Sequence, residues 1–422
     1  MSAAVFKITP TTQKYDWGKI GSSSKVAQFA SASKIPGFTL DDSAPYAELW
    51  MGTHPKSPSH VSESSIVLSA HLAARPELIG KSVAARFDTS TGNLPFLFKV
   101  LAIEKALSIQ THPDKQTAEL LFAQQPEIYK DPNHKPEMAL ALTPFAALCG
   151  FLPLTKIATC LRATTELAAL IPSSITAEFL AIAGSSDPTG PTEKAALKNL
   201  FAALMTADEA AVKAQLDLLV ARYKAGGAKV EAESQDIVAL VLRLDSQFPG
   251  DIGIFCAFLL NYVHLKPGEA IFLGAGEPHA YISGDIMECM ANSDNVIRAG
   301  LTPKLRDIPN LVSGLTYTAA EPKKHVVAPA PFRGAASSTL YDPPIPEFSV
   351  VQVVLAAGAT EAHPTVAGPS IAIVTEGAGS TSWTGGMLDI GQGDVFFIGA
   401  DTEVLFSTTA GLTIYRAFVE AS

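Results

Sequence analysis

Residues 94–137 of the chain read LPFLFKVLAIEKALSIQTHPDKQTAELLFAQQPEIYKDPNHKPE. Polar side chains alternate with apolar or small ones over residues 108–112, which is the pattern of a β-strand. In a strand, Ser108, Gln110 and His112 share one face, so Gln110 and His112 converge on one point. Glu137 closes the stretch with a carboxylate. Amide, imidazole and carboxylate groups together predict part of a metal site.

A fourth candidate ligand, His279, lies in a distant segment, GEPHAY at residues 276–281. Two residues two apart on a strand, with a carboxylate and a distant histidine, are typical of a metal site in a jelly-roll barrel. These ligands favour zinc, with iron, manganese and cobalt as alternatives. The competing interpretation is that Gln110, His112 and His279 are unrelated hydrogen-bonding residues.

Composition limits the kind of protein. With 422 residues, 47% of them hydrophobic and 17% charged, the chain is long enough for two or three globular domains. A net charge of -10 argues against a nucleic-acid partner. We find no signal-type N-terminus and no apolar run of membrane-spanning length, so we expect a cytoplasmic protein without membrane association. The four cysteines share no CxxC spacing and are expected to be buried, reduced thiols.

The pattern of the chain changes twice. Residues 1 to about 150 contain many short β-type runs, and Asp114 lies at the expected start of one helix. Residues 154–263 are rich in alanine and leucine at helical spacing, which predicts about five helices, one opened by Pro191 and one by a capping box over 206–209. Strand patterns then return. The expected domains are 1–152 with 264–336, a helical domain 153–263, and a C-terminal unit 337–422.

An internal repeat supports two related barrels. The segment GEAIFLGA at 268–275 resembles GDVFFIGA at 393–400, and His279 then falls opposite Val404. The second barrel is therefore expected to lack the metal ligand.

Basic residues gather near the same motifs despite the acidic whole. Lysine and arginine beside predicted ligands indicate an anion pocket rather than a solvated face; they are Lys99, Lys135, Arg298, Lys304 and Arg306. The other histidines have no partner at ligand spacing and are expected at surface or capping positions; they are His54, His60, His71, His134, His264, His325 and His363.

Five segments resemble the type I mannose-6-phosphate isomerase (phosphomannose isomerase) family. They are YDWGKIGSSS at 15–24, YAELWMGTHPKSPS at 46–59, LPFLFKVLAIEKALSIQTHPDK at 94–115, HKPEMALALTPFAALCGF at 134–151 and EPHAYISGDIMECMANSDNVIRAGLTPKLRDI at 277–308. The resemblance implies one zinc ion per chain, held by Gln110, His112, Glu137 and His279, and a catalytic role for Arg298. It also implies a mainly β fold: a cupin-like jelly-roll barrel bearing an all-helical domain, followed by a second, metal-free jelly roll.

The implied reaction interconverts mannose 6-phosphate and fructose 6-phosphate through a cis-enediol(ate), and would feed GDP-mannose synthesis and mannose catabolism. It needs a base near neutral pH, for which Glu288 and then Asp294 are the candidates. The candidate substrate and phosphate contacts are Ser108, Lys99, Lys135, Lys304 and Tyr281. We expect a monomer that binds a small sugar phosphate. The alternatives are a non-catalytic sugar-phosphate-binding cupin and an iron-dependent cupin oxidoreductase.

Overall fold

The computed structural model describes residues 4–229 and 232–421, which form a mixed fold of antiparallel sheets and helices. The strands are β1 (Val5–Thr9), β2 (Thr11–Gln13), β3 (Lys19–Ile20), β4 (Pro45–Tyr46), β5 (Glu48–Met51), β6 (His60–Val61), β7 (Phe96–Ile103), β8 (Ile109–Thr111), β9 (Glu137–Ala141), β10 (Phe145–Phe151), β11 (Leu260–Leu265), β12 (Ala270–Leu273), β13 (His279–Ala291), β14 (Ile297–Gly300), β15 (Ala330–Phe332), β16 (Ala335–Tyr341), β17 (Ser349–Leu355), β18 (Thr360–His363), β19 (Ser370–Trp383), β20 (Gly386–Gly391), β21 (Val395–Ile398), β22 (Val404–Ser407) and β23 (Leu412–Phe418).

The α-helices are α1 (Lys25–Ala32), α2 (Leu68–Ala73), α3 (Lys81–Arg86), α4 (Lys115–Gln124), α5 (Leu154–Ala163), α6 (Thr165–Ala168), α7 (Ser173–Ile182), α8 (Pro191–Met205), α9 (Glu209–Lys224), α10 (Gln235–Gln247) and α11 (Ile308–Gly314). Short 3-10 helices cover Gly21–Ser23, Pro76–Leu78, Ile252–Phe258 and Pro322–His325. Within the described residues, no helix is long and apolar enough to cross a membrane.

Strand β13 is the centre of the ten-stranded sheet. Its first residues pair with β8 and β10, and its later residues pair with β7 and β9. The strand changes partners near Gly284, whose φ of +120° is strained for other residues, and a Cβ there would lie 2.6 Å from the Pro144 carbonyl oxygen. One strand thus brings the segments around 110, 137 and 279 together.

The eleven-stranded sheet follows the order β15-β16-β17-β23-β19-β21-β1-β6, with β18, β20 and β22 off this path. Its strands come mainly from the C-terminal residues. Strand β1 also belongs to it, because Val5–Ile8 pairs with Val395–Ile398. The N-terminus is therefore built into the second sheet, which a division at residue 336 does not anticipate.

The predicted repeat corresponds to two equivalent strands. β12 and β21 each begin two residues after a glycine of positive φ, +86° at Gly268 and +85° at Gly393. β13 and β22 then begin at His279 and Val404, the pair that the repeat aligns. One copy carries a histidine at this position and the other an aliphatic residue.

Residues 154–247 form six α-helices, one more than expected, followed by the buried 3-10 helix Ile252–Phe258. Pro191 opens α8 as predicted. The capping-box prediction is wrong: the Asp208 side chain accepts from the Ala211 amide at 2.9 Å and caps α9, whereas Thr206 donates to the Ala202 carbonyl and ends α8. The four cysteines are free and buried, as expected.

Candidate metal centre

Three buried side chains meet where the ends of three strands come together. His112 follows β8, Glu137 begins β9 and His279 begins β13. One ligand atom from each lies within 4.8 Å of the others. The three residues are at most 1% exposed. The strand predicted over 108–112 spans Ile109–Thr111, so His112 extends just past its end.

Both histidines present an unprotonated nitrogen to the same point. His112 Nδ1 is 2.7 Å from the Asn295 carbonyl oxygen, and His279 Nδ1 is 2.9 Å from the Glu277 carbonyl oxygen. A carbonyl can only accept, so each Nδ1 carries the proton and each Nε2 is bare. Burial also lowers the pKa of His112 to about 4, which keeps its ring neutral at pH 7.

The two bare nitrogens face the carboxylate of Glu137. His112 Nε2 is 3.2 Å from Oε1, and His279 Nε2 is 3.4 Å from Oε2. Neither nitrogen has a hydrogen-bond partner among the described atoms. Lone pairs opposed at this distance repel, and a cation between them converts the repulsion into coordination. The arrangement therefore fits a divalent metal ion.

Glu137 is oriented by two further groups. Lys135 Nζ lies 2.8 Å from Oε1, and the Tyr281 hydroxyl donates to Oε2 at 3.2 Å. Although burial opposes it, Lys135 and then His112 hold the pKa of Glu137 well below its usual range. The carboxylate is thus an anion directed at the two imidazoles.

Gln110 is the direct cross-strand neighbour of this centre. It pairs with His279 on one side and with Arg298 on the other. Side chains of directly opposed residues lie about 5 Å apart on one face of a sheet. Gln110 thus stands between the histidine of the cluster and the arginine singled out in the sequence.

A cleft of about 510 Å³ lies beside the centre, and its lining includes Gln110 and Lys135. Residues of both β8 and β14 line it. The lining residues that the sequence predicted are Ser108, Gln110, Lys99, Lys135, Asp294, Arg298 and Lys304. Trp17, His54, Lys56, Lys105 and Phe248 also line it and were not predicted as site residues. Trp17, His54, Lys56 and Lys105 lie inside the family-like segments of the sequence, which do not reveal which of their side chains line a cleft. Phe248 comes from the helical segment, where no local pattern signals a cleft.

Carboxylates already neutralise some of the basic residues that line the cleft. Lys99 Nζ is 3.1 Å from Glu288 Oε2 and 3.7 Å from Glu48 Oε2. Although burial opposes it, these two carboxylates raise the pKa of Lys99. Lys56 pairs with Asp294 at 2.8 Å. Within residues 4–229 and 232–421, Arg298 and Lys304 form no ion pair.

Three residues that the sequence singled out lie away from the cleft lining. Tyr281 is 1% exposed and lies behind Glu137, so it orients a carboxylate instead of lining the cleft. Arg306 donates to the Ala299 and Met205 carbonyls and is not part of the cleft lining. Glu288 is 3% exposed and held by Lys99, whereas Asp294 lines the cleft with its side chain 25% exposed. Burial raises the pKa of Glu288.

Three histidines expected at surface or capping positions are buried. His54 packs edge-on against Trp50, His325 fills the space left by the missing Cβ of Gly150, and His363 lies in a polar network of the second sheet. Burial lowers the pKa of His54, and its Nε2 faces Asp294 at 3.5 Å. These histidines are buried by residues that are distant in sequence, so the spacing of the histidines alone cannot reveal their burial.

Three family models match the sequence. They describe the phosphomannose isomerase type I catalytic domain (residues 5–154), helical insertion domain (173–260) and C-terminal region (338–384). The mannose-6-phosphate isomerase of Cryptococcus neoformans var. neoformans serotype D is 51% identical over 100% of both chains. That of Saccharomyces cerevisiae is 45% identical, also over 100% of both.

Similar solved structures are also mannose 6-phosphate isomerases. The mannose 6-phosphate isomerase of Salmonella typhimurium, bound to substrate (F6P) and zinc, is 31% identical with a TM-score of 0.82, and the match covers 99% of this chain and 100% of that one. A mannose 6-phosphate isomerase bound with zinc and yttrium matches with the same TM-score, identity and coverage. Other neighbours are alanine variants of the Salmonella enzyme at a lysine, at two glutamates and at an arginine.

Proposed function

Because the chain belongs to the type I phosphomannose isomerase family, we infer that it interconverts mannose 6-phosphate and fructose 6-phosphate with one zinc ion. The observation that carries this inference is the pair of bare imidazole nitrogens facing one carboxylate. A non-catalytic binding role has no support, since the similar proteins are isomerases. Gln110 in place of a further histidine also makes the site ill suited to iron-dependent oxidation.

The ligand set that we propose is Gln110, His112, Glu137 and His279. His112, Glu137 and His279 offer two neutral nitrogens and one anion, which suits zinc. Gln110 completes the set because it stands in register with His279. Zinc, when bound, supplies a Lewis acid beside the substrate oxygens.

The reaction moves one proton between C1 and C2. The cleft offers a carboxylate that can carry the proton and a cation that can stabilise the developing negative charge. Asp294 is our preferred base because it lines the cleft, and its carboxylate is held by Lys56 Nζ at 2.8 Å and by His54. Glu288, our first candidate from the sequence, is enclosed behind Lys99. Arg298 carries a free positive charge next to Gln110, where it can stabilise a developing oxyanion.

The spacing of the known alanine variants matches Lys135, Glu137, Glu288 and Arg298, and it keeps Glu288 as the second candidate for the base. In the Salmonella enzyme, the substituted lysine and one glutamate are two residues apart, and the other glutamate and the arginine are ten apart. Lys135 and Glu137 have the first spacing here, and Glu288 and Arg298 have the second. For the substrate phosphate we retain Ser108 and Lys304, since Lys99 and Lys135 already have carboxylate partners.

The finer architecture is also a proposal. We assign residues 1–152 with 264–336 to a cupin-like jelly roll, 153–263 to the helical domain and 337–422 to a metal-free jelly roll that borrows β1. The repeat of β12 and β21 and the three matched ranges support this division. A monomeric chain in the cytoplasm, supplying GDP-mannose synthesis, stays a prediction from the sequence.

Replacing one ligand tests the site. We expect His279→Ala to lower both the zinc content of the purified protein and its turnover of mannose 6-phosphate, because one imidazole no longer binds the ion. Atomic emission and a coupled isomerase assay measure the two quantities. The exposed His264→Ala is the control and should match the wild type. Wild-type activity in His279→Ala would refute the ligand assignment.

A further inference from the structure

Three of the basic side chains that line the cleft remain available to bind an anionic ligand. Six basic side chains line it: Lys56, Lys99, Lys105, Lys135, Arg298 and Lys304. Lys56, Lys99 and Lys135 each have a carboxylate within about 3 Å, at 2.8, 3.1 and 2.8 Å. Among the described residues, the one carboxylate paired with Lys105 is Asp16, whose Oδ2 lies 4.0 Å from Nζ and whose side chain is 86% exposed. A pair so loose and so solvated contributes little, and Lys105 joins Arg298 and Lys304 as available.

The three cations lie at different places in the cleft relative to the metal centre. Arg298 pairs with Gln110 at the metal end, and Gly300 pairs with Ile109. Beyond these pairs the backbone leaves the strands: Lys105 and Ser108 precede β8, Thr302 and Lys304 follow β14, and all four line the cleft. Ser108 is two strand residues from Gln110, roughly 7 Å along the strand. Phe248, which contacts Lys105, is three residues before Asp251, and Asp251 accepts from the Leu301 and Thr302 amides at 2.7 and 3.1 Å. Lys105 and Lys304 therefore approach the cleft from the side opposite to His112, which follows Gln110 in the chain.

The helical segment fixes the position of Lys105. Its ammonium lies 4.6 Å from the centre of the Phe248 ring, just beyond the end of α10. The backbone around it is also held: the Lys105 amide donates to the Trp17 carbonyl at 3.1 Å, and the Ala106 amide donates to Gln247 Oε1 at 3.0 Å. Arg243 donates to the Glu104 carbonyl at 2.6 Å.

We propose that Lys105 binds the phosphate group of the substrate together with Ser108 and Lys304, and that Phe248 positions it. This assignment rests on the proposed isomerase function and adds a role for the helical domain. The substrate then lies with its reacting carbons between Gln110 and Arg298, and its phosphate between the two free lysines. A lysine on an aromatic ring keeps its charge while losing rotamer freedom, so less entropy is lost when the anion binds.

Steady-state kinetics of Lys105→Met test the binding role. The variant keeps the aliphatic stem and removes the charge, so KM for mannose 6-phosphate should rise about tenfold while kcat and zinc content stay within about twofold. Lys105→Arg should restore most of the affinity, because a guanidinium also binds phosphate. Lys213→Met removes a charge from an exposed position of α9 and should change nothing.

The positioning role has its own readout. Phe248→Leu should raise KM about threefold with kcat unchanged. In the double variant with Lys105→Met, KM should be no higher than in Lys105→Met alone, since Phe248 acts through that lysine. Independent, multiplying effects would overturn the role of Phe248.

A KM for Lys105→Met within about twofold of the wild type would overturn the phosphate role. The proposed function is tested separately by the wild type, whose failure to turn over mannose 6-phosphate would refute it. In that case the dissociation constant of inorganic phosphate, measured by calorimetry on the zinc-loaded proteins, still decides about Lys105: it must be weaker in Lys105→Met than in Lys213→Met.

Discussion

Tyr281 affects the metal centre without being a ligand. Its hydroxyl donates to Glu137 Oε2 at 3.2 Å, and burial raises its pKa well above 10, so it stays a donor. We expect Tyr281→Phe to weaken zinc binding about tenfold, because the carboxylate loses a group that orients it. Competition with a chelator of known affinity measures the change. Tyr262→Phe, on β11, removes a hydroxyl elsewhere in the sheet and should leave zinc affinity unchanged. Equal affinities in the two variants would contradict this role.

The two candidate bases differ in access to substrate. Asp294 lines the cleft, and Glu288 is an interior partner of Lys99. Asp294→Asn should lower kcat about a hundredfold or more with zinc content retained, since an amide cannot accept the proton. Glu288→Gln should lower kcat less and should lower thermal stability, because it leaves Lys99 with a weaker partner. A larger kcat loss in Glu288→Gln than in Asp294→Asn would return the assignment to Glu288.

At the scale of single elements, strand β18 ends in a buried polar network. His363 Nδ1 faces Arg416 at 3.3 Å, and its Nε2 contacts Ser338 at 2.8 Å and Glu361 at 3.4 Å. Burial, and then the charge of Arg416, lower the pKa of His363 to about 4. In the unfolded chain its pKa is about 6.5. Between these values only the unfolded chain binds the proton.

Stability should therefore fall as pH decreases from about 6.5 towards 4. The contribution of His363 is present above pH 6.5 and amounts to about 3 kcal/mol at most. In His363→Gln the fall over this range should be smaller, as measured by urea denaturation at a series of pH values. His264→Gln removes an exposed histidine and should keep the wild-type profile. Identical profiles for His363→Gln and the wild type would contradict this account.

Local patterns predicted the elements that local contacts determine. The helix start at Asp114 was predicted because its side chain accepts from the Thr117 amide three residues on, at 2.7 Å. Ser108 to His112 was predicted as a strand because alternation is a local property. At Thr206 the pattern misled, since Asp208 offered a competing cap for the same helix.

Long-range partners set the limit of that approach. Strand β1 joins β21, whose residues lie almost four hundred positions later, and Lys99 meets Glu288 at a separation of 189. Nothing near Lys99 in the sequence shows that its charge is already neutralised. The proposed metal ligands could be named from the sequence because few residue types bind metals and because their segments resemble a known family. Whether each lysine already pairs with a carboxylate could not be predicted, because the carboxylates come from other strands.

At the scale of the whole molecule, the two large sheets share one core. Buried residues of β7 and β13, such as Phe98 and Met287, belong to one hydrophobic cluster with Val350 and Tyr415 of the second sheet. His134, beside Lys135, also contacts Glu347, which precedes β17. The second sheet therefore packs directly against the sheet that carries Glu137 and His279. The helical segment does the same from the other side through Phe248 and Gln247.

The central claim is that one zinc ion, held at the ends of β8, β9 and β13, is required for isomerisation. Metal analysis of the purified protein, paired with conversion of mannose 6-phosphate to fructose 6-phosphate before and after chelation, tests it most directly. We predict about one zinc per chain, loss of turnover when a chelator removes it, and recovery when zinc returns. Full activity in a metal-free preparation would contradict the account.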